Sequence, residues 1–519
     1  MNHLLTVAEV IAAQARLQPG KIGARDSRRS LTYVQWDERA SRLANALSGL
    51  GLTQGDRVAL LAYNCVEWME FYVALARAGL TAVPINFRLV APEIEYIVTH
   101  CEARAFIVQD DLIERVLPIR DRLGIASEAF IHFGKESAPS GWQSYENLIS
   151  RSLPAAPAIV VGPEDTLALM YTSGTTGRPK GAIRNHAGSA LMSLVTALDM
   201  GFARDDTALL VMPMCHANSL NFSFTFVYLG ATCVIDDRKS FDPEHLLKTL
   251  SEQKITFTSL VPTHYIMMLG LPSAVKAKYN VDRISKLMIS SAPARRETKL
   301  AIMEHFRNSQ LFELYGSTEA GWVTILRPHE QLTKLGTVGR EWTGSGAITL
   351  LDSEGNEVLD GTVGELFSRT PYVFDGYWKN PEKTAEAFRG AWCSVGDMAR
   401  RDEDGYYELV DRKSNMIISG GENIYPSEVE ELLATHPAVK DVAVIGMPND
   451  KWGEAVHAVV VLHAGAAAGE AEMLEWCKER IAGYKRPRAI SFMAEADMPR
   501  TATGKIQHRA LRARLIERS

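Results

Sequence analysis

An α/β fold is predicted, with a large N-terminal domain of parallel-rich sheets and a β-rich subdomain, followed by a small α+β C-terminal domain. Three observations predict it. At 519 residues the chain exceeds what one ordinary core organises. Strand-like runs at 57–62 and 81–85 alternate with helical runs at 36–50 and 68–78, the pattern of βαβ units. Beyond Gly346 the sequence turns β-like, with turn signals at Asp352-Ser-Glu-Gly355 and Asp402-Glu-Asp-Gly405.

In chain order, residues 1–16 have apolar groups at helical spacing, interrupted by Glu9 and preceded by no Lys or Arg. They read as a packed amphipathic helix rather than a signal peptide. A polar stretch at 135–141 reads as a surface loop. The strand pattern returns at 166–172, 207–211, 232–235 and 286–290. A charged and polar joint, Asp411-Arg-Lys-Ser-Asn415, places the domain boundary after Arg412, giving domains 1–412 and 413–519. In the second, 427–434 reads as a helix with Ser427 as N-cap and Glu430 at the capping-box position. Strands follow at 442–445 and 458–462, and a helix at 471–481.

A formal charge of −6 leaves no polycationic surface for nucleic acid. The six cysteines are scattered without a CxxC pair, which points to neither a disulfide framework nor a zinc site and fits a reducing cytoplasm. No run approaches the ~18 apolar residues of a membrane span.

The most informative stretch is Tyr171-Thr-Ser-Gly-Thr-Thr-Gly-Arg-Pro-Lys180-Gly181. It follows a buried strand, where α/β folds place ligands. Gly174, Gly177 and Gly181 let backbone N–H groups turn toward phosphate oxygens; Thr172, Ser173, Thr175 and Thr176 add hydroxyls, and Lys180 adds charge. No Gly-Lys-Ser/Thr closes it, so it is not a Walker A loop.

This loop resembles the phosphate-binding signature of the adenylate-forming superfamily, which holds acyl- and aryl-CoA ligases, adenylation domains and luciferases. The family's other motifs follow in order over essentially the whole chain: Pro213-Met-Cys-His216-Ala217-Asn218, Ser290-Ser291-Ala292-Pro293, Tyr315-Gly316-Ser317-Thr318-Glu319-Ala, Gly396-Asp397, Asp411-Arg412, Ser419-Gly420-Gly421-Glu-Asn-Ile-Tyr-Pro426 and Pro499-Arg-Thr-Ala-Thr-Gly-Lys505.

The resemblance implies an enzyme that uses ATP, Mg²⁺ and CoA to convert a carboxylic acid first to an acyl-adenylate and then to a thioester. Thr172 to Lys180 would hold the β/γ-phosphates, and Glu319 the Mg²⁺. Tyr315 would stack on adenine, Thr318 would meet the α-phosphate, and Ser291, Ala292, Pro293, Glu313, Gly316 and Ser317 would complete the nucleotide site. Asp397 would bind the ribose hydroxyls with Arg412 beside it, and Lys505 would bridge carboxylate and α-phosphate. Thr172, His216, Glu319 and Lys505 form the expected catalytic set. The small domain is expected to be mobile, rotating about the joint after Arg412 so that Gly420 and Gly421 leave room for pantetheine. Arg88, Trp452 and Arg486 match residues that meet CoA in aryl-CoA ligases. Lys505 is an expected target of a lysine acetyltransferase and deacetylase, and self-association into a homo-oligomer is left open. Two departures stand out: Ser414 occupies the hinge position where relatives carry Asp or Lys, and Val395 replaces a Thr before Gly396-Asp397.

The acyl pocket is expected among Val195, His216, Ala217, Asn218, Ser291, Ala292, Gly316, Gly321 and Trp322, with Thr263 and His264 nearby. A bulky Trp322 would favour an aromatic, alicyclic or short-to-medium acid. His216 replaces the aspartate that amino-acid-activating domains use, which disfavours an amino-acid substrate. Arg184 and Arg295 could pair a second carboxylate of the acid, but both read as surface residues. An acyl-AMP ligase serving a carrier protein would share the ATP motifs without needing Arg88, Trp452 and Arg486. A non-catalytic nucleotide sensor is disfavoured by Glu319 and Lys505 together.

Overall fold

In the computed structural model, residues 5–135, 137–172, 179–291, 294–419, 422–449, 452–478, 480–501 and 504–518 are described. They form two compact units. One holds the chain up to Ile348 together with Ser368–Val395; the other holds Thr349–Phe367 together with the chain from Gly396 onward. The β-like segment 349–367 and the strands just before Arg412 therefore pack in the same unit as the C-terminal residues.

The first unit is built on two large sheets. In one, Arg57–Leu61 lies between Thr81–Ile85 and Ala103–Gln109 in parallel register, and Thr166–Thr172 and Lys180–Asn185 extend the edge beyond Thr81–Ile85. In the other, Ile22–Arg25, Thr232–Ile235, Thr207–Leu210, Phe257–Leu260, Lys286–Ser290 and Gln310–Ser317 run parallel, closed by antiparallel Gly321–Leu326. A buried cluster joins apolar residues of both sheets, such as Leu60 and Met288, to the helices that carry Trp36, Trp68 and Phe224. Separate clusters cover the outer faces, around Ile94 and Val116 on one sheet and Leu246 and Ile302 on the other. The strands are buried on both faces, which is why they read as continuous apolar runs.

Capping explains where helices begin. In Val7–Leu17 the Thr6 hydroxyl accepts the Glu9 N–H and the Glu9 carboxylate accepts the Thr6 N–H at 2.7 Å, so the glutamate that interrupts the apolar run is a capping-box partner. Tyr33–Gly49 begins at Tyr33 rather than Trp36 because Thr32 and Gln35 make the same box.

In the second unit Gly364–Ser368, Asp397–Arg401 and Tyr407–Arg412 form an antiparallel series. A further sheet is ordered Glu422–Ile424, Ile417–Ser419, Gly453–Leu462, Val439–Asn449, with Ala489–Phe492 added to Gly453–Leu462. The helix expected from Ser427 spans Pro426–Ala434, with Tyr425 at the cap position and no side-chain cap. Proline at the first helical position sets the start, since its missing N–H would have had no partner there. Ser427 instead donates its hydroxyl to the Val410 carbonyl, and its N–H to Asp411 at 3.0 Å. The Glu430 carboxylate binds the Val444 N–H at 2.7 Å and His508 Nε2 at 2.6 Å. The helix expected over 471–481 spans Glu470–Trp476, closed where the Cys477 N–H meets the Met473 and Glu475 carbonyls. All six cysteines are buried thiols, and among the described residues no helix is long and apolar enough to cross a membrane.

Candidate functional site

Thr166–Thr172 and Lys180–Asn185 pair antiparallel with Thr172 opposite Lys180, so the phosphate-type loop springs from the sheet between them. The loop itself, with Ser173, Gly174, Thr175, Thr176 and Gly177, lies outside the described residues, as do Ala292, Pro293, Gly420 and Gly421. Its rim is described. The Thr172 hydroxyl donates to Glu319 Oε1 at 3.1 Å, and the Tyr377 hydroxyl donates to the same oxygen at 2.9 Å. Lys180 Nζ lies 4.0 Å from the centre of the Tyr377 ring. Glu319 is 6% exposed, and its Oε2 has no hydrogen bond among the described residues. One oxygen anchored by two hydroxyls and one left open is a donor geometry that fits a hard divalent cation. Tyr377 carried no sequence signal, because it lies far from Glu319 in the chain.

Glu319 is presented by the hairpin of Gln310–Ser317 and Gly321–Leu326, where Gly316 faces Trp322 and Ser317 faces Gly321. A Cβ on Gly316 would lie 2.3 Å from the Gly321 carbonyl oxygen, and Gly321 has φ +72°, so the turn requires glycine at both positions. Tyr315, Gly316, Ser317 and Thr318 are half-buried, and the Ser317 hydroxyl accepts the Ala320 N–H at 2.9 Å.

One expectation is corrected here. Arg184 is not a surface residue: it is 5% exposed, and its Nη1 donates to the Thr318 and Glu319 carbonyls at 3.3 Å each. Strand alternation puts it on the same face as Lys180 and the buried Ala182. Burial pushes its pKa down to about 10, opposed by Asp375 and Glu319. The Glu313 carboxylate is engaged within the protein. Its carboxylate pairs with Lys299 at 2.5 Å, both side chains being almost wholly buried, and accepts the Ala294 N–H at 3.3 Å. Burial raises its pKa despite Lys299. It cross-links strand and helix beneath the Ser291 segment. Ser291 itself is exposed at φ +68°, a left-handed conformation uncommon for a residue with a Cβ. Arg295 is exposed.

Around the expected acyl pocket, Asn218 Nδ2 donates to the Ser259 and Ser290 hydroxyls at 3.1 Å each, and those hydroxyls lie 3.2 Å apart. His216 precedes helix Ala217–Leu229 at the N-cap without a side-chain cap bond, and its Nε2 is buried and unpaired. Burial, reinforced by Arg88, pushes its pKa down to about 4. His264, stacked on Phe241 at 4.0 Å, is lowered to about 4 by the same two causes. Both imidazoles are therefore neutral at pH 7, close to an exposed guanidinium. Trp322 is buried, its indole N–H donating to the Thr196 hydroxyl at 3.0 Å and its ring near Phe222 and Trp342. Half-buried Val195 packs where a Cβ on Gly344 would approach within 3.0 Å.

In the second unit, neighbouring strands pair Asp397 with Arg412, whose Nε lies 2.7 Å from Asp397 Oδ1. Lys505 is exposed on a turn in which the Thr501 N–H meets the Lys505 carbonyl at 2.7 Å. Partial loss of water and the nearby Arg412 charge lower the pKa of its ammonium, against Asp397, Asp411 and Glu430. Ser414 is exposed. Trp452 carries Arg488 over its ring at 5.4 Å, a cation the sequence reading missed, while Arg486 donates Nε to the Ile481 carbonyl at 3.1 Å.

A cavity of about 570 Å³ lies elsewhere in the first unit, lined by residues that include Asn64, Gln109, Asp111 and Lys239. It holds none of the expected site residues, and Lys239 and Asp111 in its wall pair with each other at 2.5 Å.

Residues 11–378 match the AMP-binding enzyme family and residues 428–505 the AMP-binding enzyme C-terminal domain. Among curated relatives, the indoleacetate–CoA ligase of Aromatoleum aromaticum is 35% identical, with 97% of each chain covered. A feruloyl-CoA synthase of an Amycolatopsis species is 34% identical over 96% of this chain and 97% of its own. Among solved structures, the anthranilate CoA ligase AuaEII in complex with anthranoyl-AMP superposes with TM-score 0.88 at 28% identity, covering 100% of this chain and 99% of that one. ATP-bound MatB from Rhodopseudomonas palustris gives 0.87 at 29%, covering 98% and 99%.

Proposed function

The chain belongs to the AMP-binding enzyme family and is an AMP-forming acid–thiol ligase, and we propose on that premise that it activates an aromatic, alicyclic or short-to-medium-chain carboxylic acid and passes the acyl group to CoA. Enzymes of this class use ATP, Mg²⁺ and CoA. A carboxylate is a poor acyl donor because oxide would have to leave. Attack of the carboxylate on the α-phosphate of ATP forms an acyl-adenylate and releases pyrophosphate; attack of a thiolate then releases AMP. The protein's task is to align the acid with the phosphate and to offset charge on the departing pyrophosphate.

The observation that carries this reading is the Glu319 carboxylate, anchored through one oxygen by Thr172 and Tyr377 and without a hydrogen bond at the other among the described residues, at the rim of the phosphate-type loop. Glu319 would hold Mg²⁺, which supplies charge neutralisation at the phosphates. Thr172, Lys180 and the loop between them would bind the β/γ-phosphates. Tyr315 would carry the adenine, Thr318 the α-phosphate contact, and the Asp397–Arg412 pair the ribose. Lys505 would hold the acid and α-phosphate together in the first half-reaction. We place the pivot for the second half-reaction after Arg412, with Arg88, Trp452 and Arg486 meeting CoA.

The acid class rests on Trp322, whose fixed indole would bound the pocket, and is in keeping with relatives named for indoleacetate and ferulate. Incubation with ATP, Mg²⁺, CoA and a panel of aryl, arylacetic, cinnamic, short- and long-chain acids, with AMP and thioester quantified, tests it. AMP and thioester in equal amounts with an aryl acid are expected. Acyl-AMP without thioester would replace CoA ligation by delivery to a carrier protein. Trp322→Gly should shift kcat/KM toward longer acids, by roughly 1–3 kcal/mol per added methylene; an unchanged profile would place the indole outside the pocket.

A further inference from the structure

The two carbonyl contacts of Arg184 have a consequence for the metal. We infer that Arg184 is a positioning residue for the metal-binding carboxylate of Glu319, acting through the backbone of residues 318–320; this rests on the reading of Glu319 given above. Arg184 reaches Glu319 not by an ion pair but through peptide carbonyls, those of Thr318 and Glu319. The Glu319 carbonyl also accepts the Phe374 N–H at 2.7 Å, and the Ala320 carbonyl accepts the Thr370 hydroxyl at 2.6 Å. Three consecutive peptide groups are thus held from two different segments. The peptide planes fix the direction in which the Glu319 side chain leaves the backbone, and Thr172 and Tyr377 then fix its Oε1, so the position of the open oxygen is determined.

Placing a guanidinium here is costly unless it serves the site, since a nearly buried cation without a direct carboxylate partner is poorly compensated. Among the described residues Arg184 makes only the two carbonyl contacts, with Asp375 and Glu319 attracting it from farther away. Both bonds leave from the one Nη1 nitrogen, so the shorter lysine, with three N–H donors on one atom, keeps part of this contact, and an apolar side chain keeps none. Removing a group that orients a metal ligand typically weakens metal binding by about 10–100-fold.

The test compares full-length wild type with Arg184→Met and Arg184→Lys. Three quantities are read: the Mg²⁺ dependence of acid-dependent ATP–pyrophosphate exchange, thiolysis of supplied acyl-adenylate, and Mn²⁺ binding with a non-hydrolysable ATP analogue followed by electron paramagnetic resonance. Arg184→Met should raise the half-saturating Mg²⁺ and the Mn²⁺ Kd by about 10-fold or more, leaving the acid KM and the thiolysis rate unchanged. Arg184→Lys should recover part of that loss. Unchanged metal dependence in Arg184→Met would overturn the assignment, and so would equal loss in both half-reactions together with a lowered Tm. If Arg184→Met does not fold, Arg184→Lys decides alone: a weaker Mn²⁺ affinity is expected, and wild-type affinity overturns the inference. Failure of the ligase reading is separable, because wild type would then show no acid-dependent exchange with any acid, whatever Arg184 does to Mn²⁺ binding.

Discussion

Glu319 and Lys505, the two charged groups assigned to opposite ends of the reacting phosphates, are held in opposite ways. Glu319 is almost wholly buried, bound through one oxygen by two hydroxyls, with its own peptide held by Arg184 and Phe374. Lys505 stands exposed on a turn, and its ammonium donates no hydrogen bond among the described residues. What shapes it is partial loss of water, then the field of Arg412, Asp397, Asp411 and Glu430. A group needed throughout a reaction gains from rigid support, because preorganised dipoles need not reorient at the transition state. A group used in one half-reaction gains from being on a segment that can leave.

The largest effect should come from breaking the rigid side. Lys299→Met strands the buried Glu313 carboxylate and should cost about 3–5 kcal/mol of stability in urea unfolding. Lys299→Met combined with Glu313→Leu should recover most of it, since no unpaired charge remains. A single-variant cost below roughly 1 kcal/mol would mean that the floor under Ser291 is softer than its burial suggests.

On the exposed side, Lys505→Ala should leave Tm unchanged. Adenylation should fall on the order of 10²-fold or more, with thioester formation from supplied acyl-adenylate spared; equal loss in both steps would break the contrast. Acetylated Lys505 should behave alike, because the charge disappears. The cationic form is the active one and its pKa is lowered, so adenylation should decline with rising pH sooner than an ordinary lysine would dictate. His216, neutral above about pH 4, should add no inflection near neutrality.

A smaller effect concerns CoA. Arg486→Ala should raise the CoA KM by an amount worth about 1.5–3 kcal/mol, erase any preference over dephospho-CoA, and leave pyrophosphate exchange untouched. Arg488, which stacks on Trp452, is the internal rival. If only Arg488→Ala has this effect, the phosphate contact belongs two residues further on.

What the sequence disclosed and what it hid divide along the same physical line. The motif resemblance singled out Thr172 and Glu319, and Asp397 and Arg412, which the structure brings into contact as pairs. The strands were legible because burial on both faces leaves uninterrupted apolar runs. Tyr377, Lys299 and the buried placement of Arg184 were not, since each depends on contact between segments distant in the chain. Ser427 was misread for a related reason: whether a polar residue caps a helix or bridges to another strand depends on where the neighbouring backbone lies. An alternation of Lys180, Ala182 and Arg184 along a strand was available as a signal, but a charged residue on an inward face reads as surface until the carbonyls it meets are known.

The smallest effect should come from His508, which lies three residues after Lys505 and holds Glu430 at 2.6 Å from the first turn of the last helix. Burial alone would depress its pKa, but the hydrogen bond and charge of Glu430, with Asp411 beyond, outweigh burial and the opposing Lys505 charge, so the pKa is raised. A histidine raised on folding contributes stability that is complete below its unfolded value near 6.5 and is lost as pH climbs through the folded value. The second unit should therefore loosen as pH rises above about 6.5, by no more than about 1 kcal/mol for a partly exposed pair. His508→Gln keeps a hydrogen-bond donor for Glu430 without the titration, and should flatten this part of the stability profile while leaving Lys505 in place. Unfolding followed between pH 6 and 9 checks it: a wild-type profile as flat as that of the variant would show that the Lys505 turn is not tied to the protonation of its neighbour, and would leave its partial loss of water and the field of Arg412 and the carboxylates to tune it.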